Sequence, residues 1–274
     1  MIALGIFAKT FSGNNLNARI RSLKASGFTL AHFNMACVGM EAMPEEIPET
    51  VIQEIQQCLK EEGISLCGIS ATYNMAHPDP LVRAEGLKRL EVIARRARAI
   101  GTDFISLCTG TRDPLDKWQH HPDNSSKEAW EDMRASMESA LLLAEKYDLR
   151  LGIEPEHANV VKDAHAAKRL LSEMQSPHLG IILDPANLFE RAEVEEIKVK
   201  IDLALDLLGD HLFMAHAKGR DSQGNFVAAG RGIIPFDYFI KQLQFTHFQG
   251  PLVAHGLDEK EASLVKQYLR RYSS

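Results

Sequence analysis

The sequence predicts an α/β protein closed into an eight-stranded (β/α)8 TIM barrel, and three observations predict it. Eight short apolar runs with strand character recur along the chain, an amphipathic stretch or a long connection follows each, and no second domain interrupts the alternation over residues 1–274. Crossovers long enough for a helix force successive strands to pair in parallel, and a parallel sheet of this many strands closes most naturally into a barrel. A doubly wound open sheet is the competing arrangement. It is disfavoured because the first turn after a strand, FAKTFSGNN at 7–15, lacks the G-x-G-x-x-G pattern that lets backbone approach a pyrophosphate.

The strand candidates in order are IALGIF at 2–7, FTLAHF at 28–33, SLCGIS at 65–70 and DFISLC at 103–108. LRLGIE at 149–154, LGIILD at 179–184, HLFMAH at 211–216 and PLVAH at 251–255 complete the set. Between them lie segments such as ETVIQEIQQCLKEEG and SSKEAWEDMRASMESALLLAEKY, whose apolar residues return every three or four positions, the period of one helix face. The longest irregular stretch, TGTRDPLDKWQHHPDN at 109–124, exceeds the usual connection length and follows the fourth strand, where a lid over a barrel mouth would sit.

Composition narrows the function. A chain that is 45% hydrophobic and 25% charged can enclose a large core, and a net charge of −6 leaves no cationic excess to follow a phosphate backbone. An uncharged small molecule is therefore a better partner than nucleic acid. No run approaches the eighteen apolar residues of a membrane span, and the start, MIALGIFAKTF, reads as a first strand rather than a signal peptide. The cytoplasm is the default expectation, with a homo-oligomer left open. Cys37, Cys58, Cys67 and Cys108 form no C-x-x-C pair and read as reduced thiols.

Barrel chemistry is carried by residues at the C-terminal ends of strands, and neighbouring strands lie only about 4.8 Å apart. The last four strands end at Glu154, Asp184, His216 and His255, so these groups can converge. Alternation supports this. Each shares a face with the residue two before it, namely Gly152, Ile182, Met214 and Val253, while Ile153, Leu183, Ala215 and Ala254 would face the helices. Singly, each has a duller explanation: Glu154 or Glu156 paired with Lys162 or Arg150, Asp184 capping the turn at Pro185, and two core histidines. Four ligand-type residues at four successive strand ends are harder to explain that way. Two carboxylates and two imidazoles suit one divalent cation, Mn²⁺, Co²⁺, Fe²⁺, Zn²⁺ or Mg²⁺, which would also offset buried negative charge.

The stretches GIEPE, ILDPANL, MAHAKGRD, GRGIIPFDYFIKQL and GPLVAHGL resemble the xylose-isomerase-like barrel family of sugar isomerases and epimerases, and the resemblance spans essentially the whole chain. It implies a carbohydrate-like substrate and one divalent metal held by the Glu of strand five, the Asp of strand six, the His of strand seven and a Glu of strand eight. Here these positions are Glu154, Asp184 and His216, with His255 where the family has its second glutamate. That departure weakens a symmetric two-base epimerisation and leaves His255 as ligand or as acid/base group. Asn187 stands where several members carry a further His. The implied reaction removes a proton next to a carbonyl and passes through an enediolate, with Glu154 as the base and Lys218 donating to the same oxygens. Glu156, Asn187, Arg220, His77 and Trp118 are the expected substrate contacts, and the region around Arg220 and Gly230 to Gly232 leaves an anionic substituent open.

Three other functions share these features. An inosose-dehydratase-type enzyme would expel a hydroxyl from the same intermediate, with His255 as the acid. A non-catalytic sugar-binding barrel would account for the missing strand-eight glutamate. An apurinic-site endonuclease would need three zinc ions, and Ser70, Tyr73, Ser106, Thr109 and Asn187 do not offer the extra ligands.

Overall fold

Eight parallel strands close on themselves in the computed structural model, which describes residues 1–273. They are β1 (Leu4–Phe7), β2 (Leu30–Phe33), β3 (Ser65–Ser70), β4 (Phe104–Leu107), β5 (Arg150–Ile153), β6 (Leu179–Leu183), β7 (Leu212–Arg220) and β9 (Leu252–Ala254). Each pairs with its neighbour in sequence, and β9 closes the ring between β7 and β1. β8 (Phe226–Ala228) stands outside the ring and pairs antiparallel with the far end of β7. The seventh strand thus runs four residues beyond His216, where the sequence suggested a loop. Its last residues, Lys218 to Arg220, are fixed by the ribbon with β8.

The outer layer consists of α1 (Leu16–Ala25), α2 (Glu49–Glu62), α3 (Pro80–Ile100), α4 (Lys127–Tyr147), α5 (Ala164–Met174), α6 (Val194–Leu208), α7 (Phe236–Phe245) and α8 (Ala262–Arg270). Local chemistry sets their starts. Asn15, Asp79, Ser126 and Asp163 each accept a backbone N–H of the first turn, satisfying donors that a helix cannot pair internally. Gly63 and Gly101 end α2 and α3 with positive φ, which a side chain would resist.

Two hydrophobic layers result. The larger lies between strands and helices and contains Ile153, Leu183, Ala215 and Ala254. The smaller fills the barrel and comprises Phe104, Ile182, Met214 and Val253, with Phe7, Cys67 and Phe213 against it. The alternation read from the sequence is therefore the alternation observed. Gly152 and Gly180 make the filling fit, since a Cβ at either would collide with the ring of Phe104 or Phe213. The Arg150 guanidinium lies 5.9 Å from the Phe104 ring and 5.5 Å from that of Phe213, and is ion-paired with Asp103 at 2.9 Å. It belongs to the opposite end of β5 from Glu154, so it is no partner for that carboxylate. Among the described residues no helix is long and apolar enough to cross a membrane.

Candidate active site

Above the inner plug, the strand-end residues of the second half meet. One ligand-type atom from each of Glu154, Asp184, His216 and His255 falls within 4.8 Å of every other. Asp184 is fully buried, and its Oδ1 accepts the Ala186 N–H at 2.9 Å, capping the short turn that Pro185 begins. Its Oδ2 accepts from His255 Nε2 at 3.2 Å and lies 3.3 Å from Lys218 Nζ. Glu154 Oε1 accepts from Asn187 Nδ2 at 2.7 Å, and Lys218 Nζ donates to Asn187 Oδ1 at 3.0 Å. The Asn187 amide thus joins Glu154 to Lys218.

His216 is the exception in this satisfied network. Only 2% exposed, it finds no hydrogen-bond partner for either ring nitrogen among the described residues, although Nδ1 stands 3.3 Å from Glu154 Oε2. Buried ring nitrogens are normally paired, and an unpaired one in a carboxylate cluster is what a metal ligand looks like without its metal. The donor set agrees: two carboxylates and two imidazoles match a divalent ion of intermediate hardness. Glu154, Asp184, His216 and His255 fit such an ion.

The electrostatics fit as well. Burial alone would raise the Asp184 carboxyl, but the charge of Lys218 and the His255 hydrogen bond outweigh it and hold Asp184 below its ordinary range. Glu154 is lowered in the same way, burial being overcome by His216 and Lys218. Burial tends to neutralise Lys218, yet Asp184, Glu154 and Glu156 keep it charged and raise it. His255 is lowered by burial and by His216, against its bond to Asp184. At Glu156 the opposing charges of Lys218 and Arg220 are outweighed. Burial and the neighbouring Glu154 push it up to about 7.

Glu154, His216 and His255 of the cluster line a cavity of about 360 Å³, whose wall includes Phe7, Lys9, Asn34, Ser70, Thr72 and Ser106 from the first half of the barrel. Trp118, Glu156 and Lys218, expected from the sequence, also line it. Trp118 and Glu156 face a second cavity too, of about 670 Å³, where Asn187 and Arg220 also lie. Arg220 ends β7, and its guanidinium donates to the carbonyls of Ala186 and Gly224, both at 2.9 Å. It holds the ribbon to the turn after β6. His77 lies outside both cavities, with Nε2 3.2 Å from the Pro114 carbonyl.

The long connection at 109–124 is pinned rather than loose. Asn124 Oδ1 accepts from Thr111 Oγ1 and from the Arg112 N–H, both at 2.8 Å, and its Nδ2 donates to the Ala158 carbonyl at 2.8 Å. Lys117 Nζ donates to the Thr72 carbonyl at 2.7 Å, which places Trp118 at the cavity mouth.

Sequence reading missed His32. This fully buried ring stacks on Phe7 at 4.3 Å, bonds Ser106 Oγ through Nε2 at 3.0 Å, and lies 6.3 Å from the His216 ring. Burial, with His216 and His255 nearby, lowers it well below the ordinary histidine range and keeps it neutral. The parity rule used for the last four strands would have passed over it, since in FTLAHF that rule selects Ala31 and Phe33, which pack in the outer layer, while the penultimate His32 turns inward.

A family model described as "Xylose isomerase-like TIM barrel" matches residues 19–271. Among solved structures, the chain is similar to the 3-keto-D-glucoside 4-epimerase of E. coli, at 18% identity and a TM-score of 0.78, covering 99% of this chain and 100% of that one. It is similar to D-psicose 3-epimerase from Clostridium cellulolyticum H10, solved with D-tagatose, at 16% identity and a TM-score of 0.76 over the whole of both chains. A D-tagatose 3-epimerase-like protein aligns at 14% identity and a TM-score of 0.80, covering 99% of this chain and 97% of that one. None of the curated proteins matches the sequence.

Proposed function

Because the chain belongs to the xylose isomerase-like TIM barrel family, we propose that it is a single-domain, metal-dependent isomerase or epimerase of a sugar or sugar derivative. The observation that carries this reading is His216, with two buried, unpartnered ring nitrogens at the point where Glu154, Asp184 and His255 converge. The sugar epimerases of the same fold support the substrate class.

A bound divalent ion would polarise the substrate's carbonyl and hydroxyl oxygens and make the adjacent C–H more acidic. Glu154, Asp184, His216 and His255 would hold it. Glu154 is the base: the Asn187 amide fixes its Oε1, so the carboxylate meets the substrate carbon in one orientation. Lys218 donates a hydrogen bond to the oxygen on which negative charge develops, and Glu156 and Trp118 hold the sugar against the cavity wall. Return of the proton to a neighbouring atom isomerises the substrate, and return to the opposite face of the same carbon epimerises it. Where His255 leaves the ion to Glu154, Asp184 and His216, its Nε2 faces the same centre as the second acid/base group.

His255 also favours one competing reading, since an imidazole there could protonate a departing hydroxyl and make the enzyme a dehydratase. One experiment separates the outcomes. Metal-loaded protein in D₂O with a ketose panel should incorporate deuterium next to the carbonyl while the product keeps the substrate's formula. Glu154→Gln should reduce that exchange by 10²-fold or more, on the order of a lost general base, in protein that retains its fold. Product that has lost water assigns the dehydratase. Absence of any exchange, with metal bound, overturns the catalytic reading.

A further inference from the structure

Two cavities, not one, open onto the strand ends, and Trp118 and Glu156 belong to both. The inner cavity over the ligand cluster measures about 360 Å³ and the outer about 670 Å³, each within the span of small-molecule sites. A lone sugar held at the cluster would leave the outer chamber unused.

The outer chamber has the wall chemistry of a carbohydrate site. Trp118 and Phe226 keep 45% and 49% of their surface exposed, unusually open for rings that border a cleft. Lys218 Nζ and Arg220 Cζ lie 4.1 and 4.2 Å from the Phe226 ring centre, which holds the ring in position. Open aromatic surface of this kind takes the C–H face of a sugar ring, leaving the hydroxyls for polar neighbours. His120, His157 and Gln223 provide those neighbours.

The mixed charge of the wall favours a neutral occupant. Arg220 spends Nε and Nη1 on main-chain carbonyls, and Arg191 Nε donates to the Gln223 carbonyl. Glu190 stands 3.4 Å from His157 Nε2, and Glu156 adds a second carboxyl to the same wall. Two acidic groups thus face two guanidiniums around one wall, so the chamber carries both signs of charge rather than a purely cationic pocket for a phosphate.

We propose that the outer cavity is a subsite for a second, neutral sugar ring, so that the substrate is a glycoside whose reacting ring occupies the inner cavity. The proposal rests on the carbohydrate reading above and adds the substrate's size.

The test compares 3-keto-D-glucose with its glucosyl glycoside on Mn²⁺-loaded protein, reading dissociation constants by calorimetry and C–H exchange by NMR. The glycoside is expected to be favoured at least tenfold. Ala158→Trp, which fills the outer chamber, and His157→Ala, which removes a polar neighbour, should each drive that ratio towards one. Two variants guard against a folding defect in either. Equal binding of the two sugars, or a preference that survives Ala158→Trp, overturns the subsite and leaves the carbohydrate reading standing. If neither sugar binds to folded, metal-loaded protein, the carbohydrate reading falls and the subsite with it.

Discussion

Asp184 divides its oxygens between structure and chemistry. Oδ1 caps the turn after β6, and Oδ2 meets Lys218 and His255. The plain explanation of this residue and the functional one are therefore both correct, one for each oxygen. Lys218 is the second double-duty residue, because its buried charge offsets carboxylates that would otherwise be costly to desolvate. Asn187 fixes the distance between Lys218 and Glu154, since its amide donates to Glu154 and accepts from Lys218. Partners of this kind orient ligands, and their loss commonly costs 10- to 100-fold in metal affinity or activity. Asn187→Ala should weaken Mn²⁺ binding by about that factor in calorimetric titration. Asn187→Asp should recover less than wild type, because it keeps the acceptor for Lys218 and loses the donor to Glu154.

Among the elements, the connection at 109–124 decides how the cavity mouth is shaped. A stretch of this length reads as a mobile lid in the sequence, yet Asn124 bonds to both sides of it and is only 7% exposed. Buried amides that serve several partners hold such segments in a single shape. Asn124→Ala would leave the Ala158 carbonyl and the Arg112 N–H short of a partner, a cost of about 1–3 kcal/mol each when the orphaned group stays buried. A fall of that order in unfolding free energy, read from urea transitions, is expected. An unchanged midpoint would show the loop to be loose. At the opposite flank the ribbon of β7 and β8 carries Phe226, and Arg220 locks it to the turn after β6. The seventh strand is longer than its apolar pattern suggests because its extra residues pair with β8 rather than with a ring neighbour.

Across the whole molecule, four strands give the candidate ligand residues and the other four give the wall facing them. Such a division makes the cluster depend on closure of the ring, so metal affinity and global stability should be linked. Divalent ion that binds only the folded state stabilises it by about 2.7 kcal/mol at one hundred times its dissociation constant. Thermal unfolding with Mn²⁺ should therefore shift upward as the ion concentration rises. Asp184→Asn should abolish that shift, and chelator should reverse it in the unsubstituted chain. A melting temperature indifferent to every divalent ion tested would remove the metal from the proposal.

The sequence by itself determined the eightfold alternation, the parallel ring and the inward set at β5, β6, β7 and β9. All three follow from local periodicity, which repeats every two residues in a strand and about every 3.6 in a helix. Family membership was legible for the same reason, through short motifs at the same strand ends. Only the tertiary structure decided which partners each side chain keeps. Nothing local distinguishes His77, spent on a carbonyl outside the cavities, from His32, buried beside the cluster. Nor does spacing reveal that Arg220 is occupied by backbone, that Asn187 links Glu154 to Lys218, or that a second chamber adjoins the first. These depend on contacts between residues tens of positions apart, which exist only once the ring has closed.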